Sequence, residues 1–454
     1  MTRSGIHVCL AAWWAIAVLA GAGCDRLLGK EPNPGYCAGA TCAPDAAGGC
    51  RSNADCTALG AGVCDVMATK QCVHCTATDH AACTGNAPFC GADNACRACA
   101  AHEECDSNAC SFATGACAAE TDVAYVASTG TDNSTCDKSA PCSSIAAGLM
   151  TGRHHVKIRG TIDGAVVVDN GRTVTFLADP GAMLTRGTAG DVLTVRDTGT
   201  SLTIYDLTIS GAQGSSVGIV LGGGVPALSL LGVTVSNNAG GGITSAGSLT
   251  IDHSTITSNG SGGPGISVTG GSLSLAQSLV SGNRGGGVDV TGTTAKFAIV
   301  SNKFVSNGVG DPLGSLIGAV YISANFASTN LLEFNTFYKN LSTDGIGAAI
   351  RCDPAAFTAR ANIMFNNGTA TNLDPTSGTC THSYSIMKPG TVPAGTGNQG
   401  SDPLFVDAPG GNFHLQTGSP AIGAANALAP LAGLSARDFD DHPRTSPVNL
   451  GAYQ

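Results

Sequence analysis

At 454 residues the chain is long enough for more than one domain. Charged residues make up 12% and aromatics 5% while glycine reaches 63, which argues against an ordinary helical enzyme core and for turn-rich β structure. A net charge of -10, with Lys and Arg together numbering 22, leaves no basic stripe to neutralise phosphates, so nucleic acid is excluded as a partner.

Residues 1–24 read as an export signal. Arg3 supplies the positive start, Val8 through Ala20 a short apolar core, and Gly21, Ala22 and Gly23 the small residues before Cys24. The core is too short to span a bilayer. Small residues ending in cysteine resemble a bacterial lipoprotein signal, although Gly21 stands where such signals usually carry leucine. The resemblance implies that Cys24 is acylated and anchors the chain to a membrane. The expected location is the cell surface or outer membrane, with plain secretion as the alternative, and residues 25–36 serve as a tether.

Residues 37–117 hold fourteen cysteines. Twelve fall into three four-cysteine repeats: Cys50, Cys56, Cys64 and Cys72; Cys75, Cys83, Cys90 and Cys96; Cys99, Cys105, Cys110 and Cys117. Each repeat is too short to bury a core, so disulfides are expected to replace one. The C-x-x-C steps at Cys72/Cys75, which enclose His74, and at Cys96/Cys99 also match zinc-ribbon spacing. Zinc would leave ten cysteines of the cluster unexplained, and an exported chain sits where disulfides persist, so no metal is assigned. Such a module reads as a rigid spacer or docking unit. Farther on, Cys136 with Cys142 and Cys352 with Cys380 are further disulfide candidates. The first pair staples the approach to residues 143–150, an expected helical cap.

From Val123 the pattern changes to short β-branched runs between Gly, Asn and Ser. Residues 249–259, 273–283 and 297–307 superpose with a shift of 24, and flanking copies lie at 228–237, 331–340 and 359–367. Apolar residues alternate within each copy, as at Leu249 and Ile251, so one strand face is buried. A unit this short buries its face by stacking on its neighbours, which predicts a parallel β-solenoid of roughly ten coils, about 50 Å long at the spacing of parallel strands. Asn237, Asn259, Asn283, Asn307, Asn340 and Asn367 recur at one turn and are expected to stack as an asparagine ladder. The C-terminal segment is expected to cover the far end of the stack.

The stretch from Tyr125, YVASTGTDNSTCDKSAPCSSIAAGL, and the closing stretches DPLFVDAPGGNFHLQTGSPAIGAA from Asp402 and RDFDDHPRTSPVNLGAYQ from Arg437 resemble the ends of bacterial surface proteins of the pectin-lyase-like superfamily. In the last of these Asp441 stands in place of a usual glycine and Asn449 in place of a usual aspartate, which speaks against a metal role there. The resemblance covers residues 123–454 and implies an all-β fold: a right-handed parallel β-helix over 123–400, behind the disulfide-rich module, with 401–454 as its end segment. The superfamily includes lyases, glycoside hydrolases, adhesins and surface proteins of no assigned activity, so the resemblance carries the fold and leaves enzymatic activity open.

The resemblance implies that a lyase site would lie on an outward strand face, with clustered acids for calcium and a basic residue as proton acceptor. The strands after the glycine-rich turns place Thr244, Ser267, Asp289, Tyr321 and Arg351 in one outward column, and Thr269, Thr291, Ser323 and Asp353 in the next. Asp289, Tyr321, Arg351 and Asp353 thus form the candidate binding face. The two carboxylates should lie about 12 Å apart by strand spacings, against roughly 5 to 9.5 Å in glycosidase pairs. No three aspartates stack on adjacent coils, so neither a calcium cage nor any cofactor is implied. The pairs Asp252/His253 and His154/His155 read as structural, and Arg284, Lys303, Glu333 and Lys339 as solvated charges. The reading is a monomeric surface protein that binds extracellular polysaccharide or a surface protein; the alternatives are a polysaccharide lyase or glycoside hydrolase, and a structural spacer or adhesin.

Overall fold

A computed structural model describes residues 49–454 except 60–61, 66, 68, 261, 293–294, 310–316, 325–329, 343–346, 355–356 and 369–374. The signal, the tether, Cys24, Cys37 and Cys42 lie outside the described residues. The chain divides into two compact units, Met1–Cys117 and Ala118–Gln454, and no helix among the described residues is long and apolar enough to cross a membrane.

In the first unit every repeat is wired alike. First cysteine joins third and second joins fourth: Cys50–Cys64 with Cys56–Cys72, Cys75–Cys90 with Cys83–Cys96, Cys99–Cys110 with Cys105–Cys117. The third and fourth cysteines face each other across a two-residue antiparallel hairpin, so both bonds pin a preceding loop to it. Closing loops of this size contributes about 3 kcal/mol per bond by limiting the unfolded chain. In the first and third repeats the side chain three residues after the first cysteine accepts from the third cysteine's N–H, Asn53 from Cys64 at 2.9 Å and His102 from Cys110 at 3.1 Å.

In the second unit, parallel strands stack into three sheets of eleven, ten and nine strands among the described residues. A representative coil runs through Ile243–Ser245, Ser248–Asp252 and Thr255–Thr257, one strand in each sheet. Alternation places Leu228, Leu249, Leu273 and Phe297 in one inward column and Leu230, Ile251, Leu275 and Ile299 in the next, all buried. Burying each such side chain is worth about 1.5 to 3 kcal/mol. Phe304 and Phe337 stack in the interior with centroids 4.9 Å apart. Before the first coils, the helix α1, Ile145–Met150, is capped by Ser144 and buries Ile145 and Leu149. The strand Val123–Ala127 adds to the sheet edge, and the Cys136–Cys142 disulfide holds the backbone that covers it.

From residue 238 onward two turns of the coils share a design: a residue with positive φ, then a buried polar side chain that bonds to the next coil. After the third strand the ladder is Asn238, Asn259, Asn283, Asn307, Asn340 and Asn367, each Nδ2 donating to the next Oδ1 at 2.8 to 3.1 Å. Asn237 is therefore not a rung. It holds the preceding position at φ 55°, shared with Ser258, Gly282, Ser306, Lys339 and Asn366. Asparagine tolerates that conformation, so two adjacent asparagines gave the sequence two indistinguishable candidates. A second ladder, Ser254, Ser278, Asn302, Asn335, Asn362 and Ser385, occupies the turn between the second and third strands. Its mixture of Ser and Asn hid it.

The end segment departs from expectation. Residues 395–399 cover the last coil, with Asn398 Oδ1 accepting from Ser385 N and Nδ2 donating to His382 O. Residues 401–454 instead lie along the flank of earlier coils. Gln277 Nε2 donates to Asp438 O at 2.8 Å, Ser301 Oγ to Arg437 O at 2.9 Å, and Ala452 N to Thr336 Oγ1 at 3.0 Å. Phe405, Phe413, Val448, Leu450 and Tyr453 form a second apolar cluster with Phe334, Tyr338 and Ile363 from the coils. This overturns two of the solvated charges. Glu333 is buried, bonded to Arg360 and to Ser435 of the end segment, and Lys303 is half-buried with its ammonium 3.9 Å from the Phe439 ring centroid. The cause is the docked segment, which replaces water over the end of the strand that carries Glu333.

Candidate functional site

The column of outward residues is set by strand register. Thr244 pairs with Ser267, Ser267 with Asp289, Asp289 with Tyr321, Tyr321 with Arg351, and Arg351 with Ser377. Each is held by buried inward neighbours, Val288 and Val290 around Asp289, Val320 and Ile322 around Tyr321, Ile350 and Cys352 around Arg351. Cys352 is fixed further by its disulfide to Cys380.

Within this face three residues are tied together. Arg351 Nε donates to Asp353 Oδ2 at 2.9 Å, and the guanidinium carbon lies 5.4 Å from the Tyr321 ring centroid, within cation–π range. Asp353 follows directly on the strand Ile350–Cys352 and reaches back to Arg351 two residues before it. Asp289, one coil before Tyr321, makes no hydrogen bond through Oδ1 among the described residues. Burial without a compensating charge pushes its carboxyl up to about 6. The face therefore presents an aromatic plane, a guanidinium already neutralised by its own aspartate, and a half-buried carboxyl poised near neutrality.

A family model described as a right-handed β-helix region matches residues 154–305, 191–349 and 243–388, together more than half of the chain. The chain belongs to the right-handed β-helix family. No curated protein matches it. Among solved structures it is similar to the crystal structure of pectate lyase Pel9A, at 14% identity and a TM-score of 0.38, covering 74% of this chain and 100% of that one.

The histidine pairs singled out in the sequence meet aspartates. His154 Nδ1 and His155 Nδ1 both meet Asp122, at 2.8 and 3.2 Å, and tie the first coil to the strand before it. His253 Nδ1 lies 3.2 Å from Asp252 in a positive-φ turn. An open groove of about 580 Å³ lies away from the Tyr321 face, lined by Asn237, Asn238, Ser258, Asn259 and Gly282 with Arg284 as its charged residue. Gly260 lines it too, and a Cβ there would fall 2.1 Å from Ala239 O, so coils at this corner stack backbone to backbone. His382 is a titratable group missed in the sequence. It is buried in the last coil, Nδ1 has no partner among the described residues, and burial drives its pKa down to about 4. Its place in the inward column beside Ala359 was the available signal.

Proposed function

We infer that this chain is an exported, lipid-anchored β-helix that binds an extracellular polysaccharide across the Asp289, Tyr321, Arg351 and Asp353 face, with the disulfide module as its stalk. The observation that carries the reading is the Tyr321–Arg351–Asp353 arrangement on adjacent coils beside the Asp289 carboxyl. A ring gives a flat apolar surface for a sugar face, and a fixed guanidinium and carboxylates offer directional partners for hydroxyls. Coils repeat about every 4.8 Å, comparable to the length of one pyranose, so a chain running along the column meets successive side chains with successive sugars.

Calorimetry against neutral, aminated and acidic polysaccharides tests this. Binding by at least one class, weakened about tenfold or more by Tyr321→Ala as for an aromatic anchor, is the expected result; silence across the panel, or no effect of Tyr321→Ala, refutes it. A second reading, polysaccharide lyase or glycoside hydrolase, is favoured by the near-neutral pKa of Asp289, suited to moving protons at physiological pH. New unsaturated or reducing ends produced by the wild type and absent with Arg351→Ala would establish that reading.

A further inference from the structure

We propose that three peptides of the asparagine ladder, Asn259–Gly260, Asn307–Gly308 and Asn367–Gly368, are modification sites held closed by the stack. They stay intact while the coils are joined and convert irreversibly to aspartate or isoaspartate when a coil opens. The inference does not rest on the glycan-binding reading. In an Asn-Gly step the glycine nitrogen attacks the asparagine carboxamide carbon, unhindered by a Cβ. The new C–N bond closes a succinimide ring, the bond to Nδ2 breaks, and ammonia leaves with the proton of the glycine N–H. Water then opens the ring on either side, giving aspartate or an isoaspartate whose backbone is one carbon longer.

The sequence has four such steps, and three of them are rungs. The fold requires these glycines: a side chain at 260 or 308 would run into the carbonyl of Ala239 or Leu341, and Gly308 and Gly368 hold φ of 75° and 90°. The ladder in turn holds both reacting groups. Asn259 Nδ2 donates to Val235 O and Asn283 Oδ1 at 3.1 and 2.8 Å, while Gly260 N donates to Asn238 O at 2.8 Å. Asn307 Nδ2 donates to Val280 O and Asn340 Oδ1, both at 2.9 Å, and Gly308 N to Asn283 O at 2.8 Å. Asn367 Nδ2 donates to Phe337 O at 3.0 Å, and Gly368 N to Asn340 O at 2.9 Å. All three asparagines are buried, so nucleophile, carboxamide and water meet only after these bonds break. The product cannot restore the rung, because a carboxylate has no N–H for the oxygens that the amide served and brings a charge into the interior. The fourth step, Asn170–Gly171, is exposed, and its carboxamide and glycine N–H donate to the side chains of Asp169 and Thr200 rather than to a stacked backbone.

The test follows each asparagine by peptide mass spectrometry on the full chain, disulfides intact, incubated at mildly alkaline pH with and without denaturant. In denaturant all four steps should convert. Without it Asn170 should convert, while Asn259, Asn307 and Asn367 react about a hundredfold or more slower than in denaturant, in keeping with the rarity of opening in a buried coil. Asn340→Ala removes the acceptor of Asn307 Nδ2. It should speed conversion at Asn307 by about tenfold or more and leave Asn259 as slow as in the wild type. Rungs that convert at comparable rates with and without denaturant would overturn the proposal. A folded chain in which Asn170 is as inert as the rungs would overturn it too, since the ladder would not then be what separates them, and so would a folded Asn340→Ala variant in which Asn307 gains nothing over Asn259. The wild-type comparison decides by itself if that variant does not fold.

Discussion

A buried and a half-buried group of this β-helix act against each other as pH falls, and separating them is a sharp test of the structure. His382 stays neutral when folded and titrates at about 4 rather than 6.5. Between those values the unfolded chain holds one proton more, so this histidine makes stability rise with pH, and what it contributes is lost as pH falls from 6.5 towards 4. Asp289 titrates at about 6 rather than 3.8. There the folded chain holds the extra proton, so Asp289 makes stability fall with pH over nearly the same window. At about 1.4 kcal/mol per pH unit each effect amounts to about 3 kcal/mol in magnitude, and in the wild type they largely cancel. The residues lie several coils apart, beyond the range of direct coupling, so their effects should add. Denaturant unfolding of the oxidised chain at a series of pH values reads the difference directly. Asp289→Asn should lose about 3 kcal/mol more than the wild type between pH 6 and 4, His382→Leu should gain about as much over that interval, and the double variant should return to the wild-type profile. If both single variants track the wild type in parallel through that window, the burial argument for these two groups is wrong.

Other outcomes follow from the ladders and the signal. Asn307→Ala removes a buried amide that bonds to Asn283, Asn340 and Val280, and should cost about 3 kcal/mol by leaving those groups unpaired; Asn237→Gly, at a positive-φ position that is no rung, should change the unfolding midpoint little. An equal loss from both would refute the ladder assignment. Cys24→Ser should move the protein from the membrane fraction to the soluble fraction after cell breakage, and a mass spectrum of the wild type should show acyl chains on that cysteine.

What could be read in advance depended on whether the cause was local. Alternation at Leu249, Leu273 and Phe297 declared the stacked coil because each copy repeats the same physical requirement, and the column from Thr244 to Arg351 followed from counting along short strands of fixed period. Asn237 was misplaced by one because either of two adjacent asparagines satisfies the local preference, and only the bond to Asn259 across 21 residues of sequence separates them. Glu333 and Lys303 were misread for a different reason. Their burial is created by Ser435 and Phe439, more than a hundred residues later, and nothing in their own neighbourhoods records it. The small residue Ala276 and the apolar Val300, which precede Glu333 at the same outward position, were the faint trace that this stretch of surface is covered. The ties of Arg351 to Tyr321 and Asp353 were not legible either, since a residue's column is encoded in spacing and its rotamer is not.

The wiring of the cysteine repeats bears on how the module can vary in length. From Cys50 to Cys117 no crosslink passes from one repeat into the next, so each can oxidise by itself, and a whole repeat can be gained or dropped without leaving an orphan thiol. Such a module can change in discrete steps of about two dozen residues, each added repeat bringing its own crosslinks and disturbing none of its neighbours'.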